Sequence, residues 1–496
     1  MKGDKAIALK GGFWTSVSTA VTMLAQIARI VILTRILEKS DFGLVSITNM
    51  VTMLCVTFTD LGFASVIMYK RDLTQREFSS LYWVQFLSFG LIYGVLVAIT
   101  PLVSDFYSEP SLSTLLPLAG LSIIFQAVGK LYESVLQKNY EFKLIAIRNI
   151  IANFISLFVA VWLAYKGFGV YSLVYSTLCN IIIYNVWNLI AGVKIIRVVF
   201  VLNFKEVIPL IKIGLYQTGV RVLDFFSGKI DVLLIGKLLG TEALGLYDLS
   251  KELVYKLVYF IQTVVSKVAL PILSNNNNDD NVVISRFLQV TKIVAYVCMP
   301  ICSAIAVFSE PAVRIMYGVN YLEAAPLVSV FAIVTMFTSI VSFMDMLGVV
   351  KGRTDLNFKG TAYHVIIAVA IVAVTCFISI LAVAIGQLLI VILSTIVGWY
   401  IIVKPNYGIR IKDYIQQFSK LFIILAIIST LTILIDSLLC SNINNWIVGF
   451  VVKGVLFGIL FCTCIAVFLK EDLAYFSGLL GIKKRTASRG LSKEDI

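Results

Sequence analysis

Fourteen apolar runs, each long enough to cross a bilayer, follow one another along the chain. They cover 11–37, 42–68, 78–104, 112–137, 144–165, 169–193, 207–238, 243–273, 284–308, 323–349, 359–380, 382–403, 415–437 and 446–469. A helical crossing takes about 20 apolar residues. Hydrocarbon offers the backbone no water, so every amide must find its partner within the protein. Unbroken apolar runs lack the alternation of a membrane barrel. The expected fold class is therefore an all-α polytopic membrane protein of about 14 transmembrane helices. Of 496 residues, 59% are hydrophobic and 14% charged, against about 25% charged in a soluble domain. One large water-soluble core is excluded, because the surface of such a body must stay polar. The division within 359–403 is the least marked, and Ser379 to Gly386 must supply a tight turn there.

The net charge of +13 would suit nucleic acid in a soluble protein. In a membrane protein it reflects basic cytoplasmic loops. With the N-terminus inside, the inner loops and both ends hold 28 of the 41 Lys and Arg, and the outer loops hold five: Arg35, Lys39, Lys166, Lys237 and Arg314. The inner set includes Lys70, Arg71, Lys138, Lys143, Arg148, Lys194, Lys351 and Lys404. A wrong span count would swap sides downstream and spoil the bias. Lys2, Lys5 and Lys10 precede an apolar run too long for a signal-peptide core, which reads as an uncleaved first helix. The eight Cys sit mostly in apolar runs without a C-x-x-C, and His364 has no partner at ligand spacing. Neither a disulfide framework nor a metal site is indicated, and no cofactor motif occurs. The absence of a P-loop excludes an ATP-driven pump.

A weak internal repeat divides the chain. Lys10, Gly12, Trp14, Gly43 and Leu44 recur as Lys212, Gly214, Tyr216, Gly245 and Leu246, always 202 positions on. The reading is two bundles of six helices, 1–206 and 207–403, then helices 13–14 over 404–470 and a basic amphipathic tail over 471–496 on the inner membrane surface. Asn275 to Asp280 reads as a flexible cytoplasmic loop.

Ionisable groups inside spans cost about 2.5–3.5 kcal/mol each on the insertion scale, so they face a cavity or a partner. Here they gather on the opening helix pairs of the two halves: Arg29, Asp60, then Arg221, Asp224, Lys229 and Asp231, then Asp248, Lys251, Glu252, Lys256 and Lys267. Arg221, Asp224, Gly228 and Asp231 share one helix face. Asp248, Lys251, Glu252, Tyr255 and Tyr259 form another polar stripe. The candidate substrate cavity is Arg29, Asp60, Arg221, Lys251, Lys256, Tyr255 and Tyr259. Asp224, Asp231 and Glu252 are candidates for a coupling ion. Gly236, Gly240 and Gly245 are candidate joints, since glycine permits backbone change and close packing alike. The competing reading is local neutralisation, Arg221 with Asp224, Lys229 with Asp231 and Lys251 with Glu252. Lys229 and Lys267 can also snorkel to an interface.

These residues, with their order and spacing, resemble the bacterial polysaccharide-exporting flippases, the Wzx-type transporters of the multidrug/oligosaccharidyl-lipid/polysaccharide superfamily. The matching pieces are Arg35, Leu37 and Phe42-Gly43; Asp60-Leu61-Gly62-Phe63; Leu136-Gln137-Lys138 with Phe142-Lys143; and Gly167-Phe168-Gly169-Val170. Asp231 with Ile235-Gly236, Leu239-Gly240, Leu244-Gly245 and Tyr247 follows, then Pro271, Ser274, Pro311, Gly318, Gly348 and Lys351-Gly352. The resemblance implies two pseudo-symmetric six-helix bundles in a V around a central cavity plus two C-terminal helices. It implies movement of undecaprenyl-pyrophosphate-linked oligosaccharide across the bacterial inner membrane for O-antigen, capsule or exopolysaccharide synthesis, without covalent catalysis. The implied partners are that lipid-linked oligosaccharide, membrane lipid, a glycan polymerase and glycosyltransferases, with the chain itself a monomer and no nucleic acid involved. The alternative is a cation-coupled multidrug antiporter of the same superfamily, which would use acidic cavity groups.

The topology is checked by cysteine labelling. Ser108→Cys and Asn442→Cys are expected to react with an impermeant maleimide added outside, whereas Asn277→Cys and Lys484→Cys, with both termini cytoplasmic, are not. External labelling of the 275–280 run overturns the map.

Overall fold

A computed structural model describes residues 2–59, 74–274, 280–439 and 446–468, with positions 63, 67, 68, 70 and 472, and in it the apolar runs are helices. In chain order these are α1 (Lys2–Leu33), α2 (Lys39–Thr59), α3 (Gln75–Tyr107), α4 (Leu112–Lys138), α5 (Phe142–Tyr165), α6 (Val170–Gly192), α7 (Phe204–Leu238) and α8 (Gly240–Ser274). After them come α9 (Asp280–Val307), α10 (Ser309–Met316), α11 (Ala325–Val341), α12 (Met344–Val350), α13 (Thr354–Thr375), α14 (Ile380–Gly398), α15 (Ser419–Leu439) and α16 (Trp446–Phe468). Among the described residues twelve helical stretches are long and apolar enough to cross a membrane, so the protein is a multi-pass membrane protein. The 35-residue helices α7 and α8 are not among the twelve. They carry the densest ionisable groups of the apolar region, and a count of fourteen requires both to cross as well.

Local chemistry sets the ends. Thr74 and Glu77 close a capping box before α3: the Glu77 N–H donates to Thr74 Oγ1 at 3.3 Å and the Thr74 N–H donates to Glu77 Oε2 at 3.1 Å, satisfying two orphan donors at once. The turn between α13 and α14 is shorter than the 379–386 stretch expected. It uses only residues 376–379, and Ser379 Oγ accepts the Ala382 N–H at 3.1 Å. Gly386 lies inside α14, where a Cβ would sit 3.0 Å from Ile371 of α13, so it serves helix approach rather than the turn. The expected tenth span is present but interrupted at residues 342–343, between α11 and α12.

The helices pack as two units. One comprises Met1–Lys256, Val313–Leu327 and Thr354–Val397; the other comprises Leu257–Ala312, Val328–Arg353 and Gly398–Ile496. In the first, α1 lies along α5, α3 along α4, and α6 against both α4 and α5, while α2 touches α3, α4, α6 and α7. In the second, a core of Phe287, Met299, Trp399, Tyr414 and Leu425 joins α9, α15 and the 399–415 segment. Of the 471–496 tail only Asp472 is described. Burial opposes its charge, yet hydrogen bonds from Lys292 and from Tyr296 Oη at 2.7 Å hold its carboxyl below the usual carboxylate range. Of the Asn275–Asp280 run only Asp280 is described, in an ion pair with Lys351 at 2.6 Å.

Residues at the repeat offset meet in the first unit. Ser46 Oγ donates to Asp248 Oδ2 at 2.5 Å, across 202 positions. One turn earlier Gly43 and Gly245 face each other. A Cβ on Gly43 would collide with the Thr241 carbonyl, and one on Gly245 with the Lys39 carbonyl. Glycine is needed at both positions because two backbones touch. Around this crossing Lys39 Nζ reaches Glu323 at 2.7 Å and Glu242 at 3.5 Å. Arg35 donates to the carbonyl of Ile315 at 2.9 Å, and Thr241 Oγ1 to Glu109 at 3.0 Å.

Arg148 is a correction to the loop reading. It lies within α5 and is fully buried. Its guanidinium donates to Glu133 of α4 at 3.2 Å, to Asn149 at 2.8 Å and to Asn188 of α6, and it lies 3.4 Å from the Tyr184 ring centre. One side chain thus ties three helices. Arg148→Met removes the cation and strands Glu133. A loss of about 3–5 kcal/mol is expected for breaking a buried pair, read as a lower unfolding temperature in detergent. Adding Glu133→Gln should recover part of it. An unchanged unfolding temperature for Arg148→Met would show the network to be idle.

Candidate functional site

The densest ionisable groups of the apolar region are in α7 and α8, and the fold turns part of them inward. Where α1, α2, α6, α7 and α8 come together in the first unit there is a cavity of about 310 Å3. Arg29 enters it from α1, Ser46 and Asn49 from α2, Lys229 from α7, and Asp248, Lys251, Glu252 and Tyr255 from α8. Asp248, Lys251, Glu252 and Tyr255 are spaced by three, four and seven positions, which sets them on one helix face.

The charges divide into paired and unpaired groups. Asp231 is only 2% exposed and fully satisfied. It takes an ion pair from Lys251 at 2.5 Å, a hydrogen bond from Tyr247 Oη at 2.7 Å and one from the Val232 N–H at 2.8 Å. Gln387 of α14 adds a longer one at 3.5 Å. Lys251 also lies near the faces of Tyr247 and Tyr255, at 5.6 and 5.8 Å from their centres. Glu252 pairs with Lys256 one turn on. Asp248 is held by Ser46. Arg29 and Lys229 remain. Neither makes a hydrogen bond or an ion pair among the described residues; Arg29 feels the field of Glu252, which Lys256 already engages, and Lys229 that of Asp248, which accepts from the Ser46 hydroxyl.

Several expected site residues are therefore together and others are not. Arg29, Lys251, Glu252 and Tyr255 line the cavity, and Lys256 reaches it through Glu252. Arg221 and Asp224 are exposed and outside its lining, and Tyr259 is 67% exposed. Asp60 lies outside the described residues. The local pairings do not form as read: Asp231 takes Lys251 rather than Lys229, and Glu252 takes Lys256 rather than Lys251. Lys229, Ser46 and Asn49 are lining residues that the sequence reading had not placed in the site. The signal for Lys229 was present, since losing Asp231 to another helix leaves it uncompensated, but that loss is a tertiary fact.

The three glycines serve different purposes. Gly240 has φ +84° between α7 and α8, a conformation costing L-residues roughly 1–2 kcal/mol. Gly236 is packed against Tyr107 and Ile47. Gly245 is at the backbone crossing. His364 Nδ1 lies 2.8 Å from Ser394 Oγ, a tie between α13 and α14.

The sequence model of the family described as "Polysaccharide biosynthesis protein" matches residues 32–326. The teichuronic acid biosynthesis protein TuaB of Bacillus subtilis is 26% identical over 427 residues, covering 84% of this chain and 86% of that one. The lipopolysaccharide biosynthesis protein WzxC of Escherichia coli is 22% identical over 418 residues, covering 82% and 83%. Among solved structures, the lipid II flippase MurJ in an inward closed conformation superposes with a TM-score of 0.69 at 15% identity, over 93% of this chain and 100% of that one. The likeness to MurJ is one of fold.

The pairing pattern sets unequal costs for two neighbouring lysines. Lys251→Met leaves buried Asp231 uncompensated and should cost about 3–5 kcal/mol of stability. Lys256→Met frees Glu252, which is about a third exposed, and should cost about 1 kcal/mol or less. Thermal unfolding of both variants in one detergent checks the ordering, and equal shifts would contradict it.

Proposed function

The chain belongs to the polysaccharide biosynthesis protein family, and from that premise we propose that it flips a polyprenyl-pyrophosphate-linked oligosaccharide across the bacterial inner membrane for surface-polysaccharide synthesis. One observation carries the proposal: Arg29 and Lys229, two cations that make no ion pair or hydrogen bond among the described residues, share one cavity among membrane helices. A charge on a membrane helix left unpaired is costly, so a site that keeps two of them is suited to an anion that arrives from outside. A pyrophosphate meets that requirement. Arg29 can grip it with two parallel hydrogen bonds and Lys229 acts as a point charge. Lys251 and Lys256, held by Asp231 and Glu252, add positive potential behind them.

Support comes from the relatives, which carry names of teichuronic acid and lipopolysaccharide synthesis, and from the fold shared with a lipid II flippase. The antiporter reading fits less well, since an organic cation would enter a cavity in which two cations, Arg29 and Lys229, make no ion pair among the described residues and one carboxylate, Asp248, stands against them. On this proposal the protein makes and breaks no covalent bond, so its work is binding and conformational change. Glycosyltransferases supply the substrate, a polymerase consumes it, and the protein acts as a monomer with both termini cytoplasmic. The bundles 1–206 and 207–403 would then rock about their shared axis, with the Gly236–Gly245 region as the joint. Asp60, Arg221, Tyr255 and Tyr259 stay candidates for glycan or phosphate contacts, and Asp224, Asp231 and Glu252 for a coupling ion. Of the last three, only Asp224 makes no ion pair or hydrogen bond among the described residues.

Arg29→Ala is expected to lower surface-glycan export about 10–100-fold, the scale of a lost hydrogen bond to a charged group, with the protein still folded and inserted. Arg29→Lys should restore it in part. The measurement is accumulation of lipid-linked oligosaccharide on the inner leaflet. Export by Arg29→Ala at the unmodified rate would remove the cationic cavity from the mechanism.

A further inference from the structure

A second cavity, of about 240 Å3, lies beside the charged one in the first unit, between α2, α4 and α6. The two share Val45, Asn49 and Leu173 in their walls. No charged side chain lines the second cavity. Its polar groups are amides and hydroxyls on an otherwise apolar surface.

The hydroxyls of Thr48, Thr52 and Thr177 donate to carbonyls one turn back on their own helices, at 2.7, 2.8 and 2.8 Å. That leaves oxygen lone pairs facing the cavity. The side chains of Asn49, Ser122 and Gln126 make no hydrogen bond among the described residues. Asn49, Gln126 and the buried Ser122 thus offer donors and acceptors to whatever enters the cavity. Walls without charge favour a neutral occupant over an ion, and the amides disfavour an alkyl chain. A sugar ring fits both constraints. Its hydroxyls are donors and acceptors at once, as an amide requires, and its C–H face lies against apolar walls such as Val45, Met53 and Leu173.

We propose that this neutral cavity is the glycan subsite, holding the sugar next to the pyrophosphate, with Gln126, Ser122 and Asn49 as its reading groups. The proposal rests on the reading of the charged cavity as the pyrophosphate site. Asn49 stands in both walls, so it marks the junction where the phosphate ends and the first sugar begins.

The test compares two probes on the full chain in detergent: undecaprenyl pyrophosphate, and the same lipid bearing a single N-acetylglucosamine. The unmodified protein should bind the sugar-bearing lipid about tenfold more tightly, the scale of a few neutral hydrogen bonds. Gln126→Met and, separately, Asn49→Leu should each reduce that ratio to about threefold or less. The readout is a ratio within one preparation, so partial misfolding of either variant does not mimic the result. Arg29→Ala should weaken both probes while leaving the preference for the sugar. Equal affinity of the unmodified protein for the two probes overturns the subsite while leaving the pyrophosphate reading intact. An undiminished ratio in both variants overturns the assignment of these residues. Binding of neither probe overturns both readings together.

Discussion

A charge in hydrocarbon needs a partner or a water-filled cavity, and the arrangement of this protein follows from how each charge meets that demand. Arg148 meets it with Glu133, Asn149, Asn188 and the Tyr184 ring, and in doing so fixes α4, α5 and α6 to one another. Asp231 meets it with Lys251 and Tyr247, joining α7 to α8. In each case the removal of one partner costs far more than the pair contributes, because the other charge would be left buried. The pairs thus act as constraints on geometry more than as sources of stability. Among the described residues Arg29 and Lys229 make no ion pair, and they face the same cavity. That shared position is what the proposed anion site rests on.

The near-symmetry of the sequence has a structural counterpart at Ser46 and Asp248. Residues equivalent by the 202-position offset can touch only if they lie near the axis relating them, as in a two-fold interface where a patch meets its own copy. Gly43 and Gly245, one turn away and related by the same offset, lie there too, and their backbones come so close that neither admits a Cβ. If the 202-position offset marks a repeat, the axis relating its halves would pass by the charged cavity. At this offset one position holds serine and the other aspartate. This turns a like–like contact into a hydrogen bond and makes the cavity asymmetric, which suits a substrate with a charged end and a neutral end.

The helices were legible because the length and hydropathy of a crossing are dictated by the bilayer, and those leave a mark on composition. Departures from the sequence reading occur where structure depends on neighbours. The interruption at residues 342–343 carries no proline or glycine to announce it. Gly386 looked like a turn residue and is a packing residue, because the turn before it closed early with Ser379 as its cap. In the site, Arg29, Lys251, Glu252 and Tyr255 were legible as polar groups in apolar surroundings. Their pairing was not. A helix offers Asp231 the nearby Lys229, and only the approach of α8 supplies Lys251 instead. Arg148 was misplaced for the opposite reason, since a basic residue near a span boundary resembles the loop cations that set topology.

On the proposed function the site must release the pyrophosphate it binds, and this bears on why the cations are accompanied by acids. A cavity of Arg29, Lys229, Lys251 and Lys256 alone would hold a pyrophosphate tightly enough to trap it, because Coulomb attraction is strong where water is scarce. Asp248 and Glu252 line the same cavity, and Asp231 lies behind Lys251. Each offers a cation somewhere to return. Binding then exchanges internal ion pairs for ion pairs to phosphate, and the net gain is the difference between them. Passage through a membrane requires binding favourable enough for entry and weak enough for exit. Two free cations supply the first condition, and the carboxylates beside them supply the second.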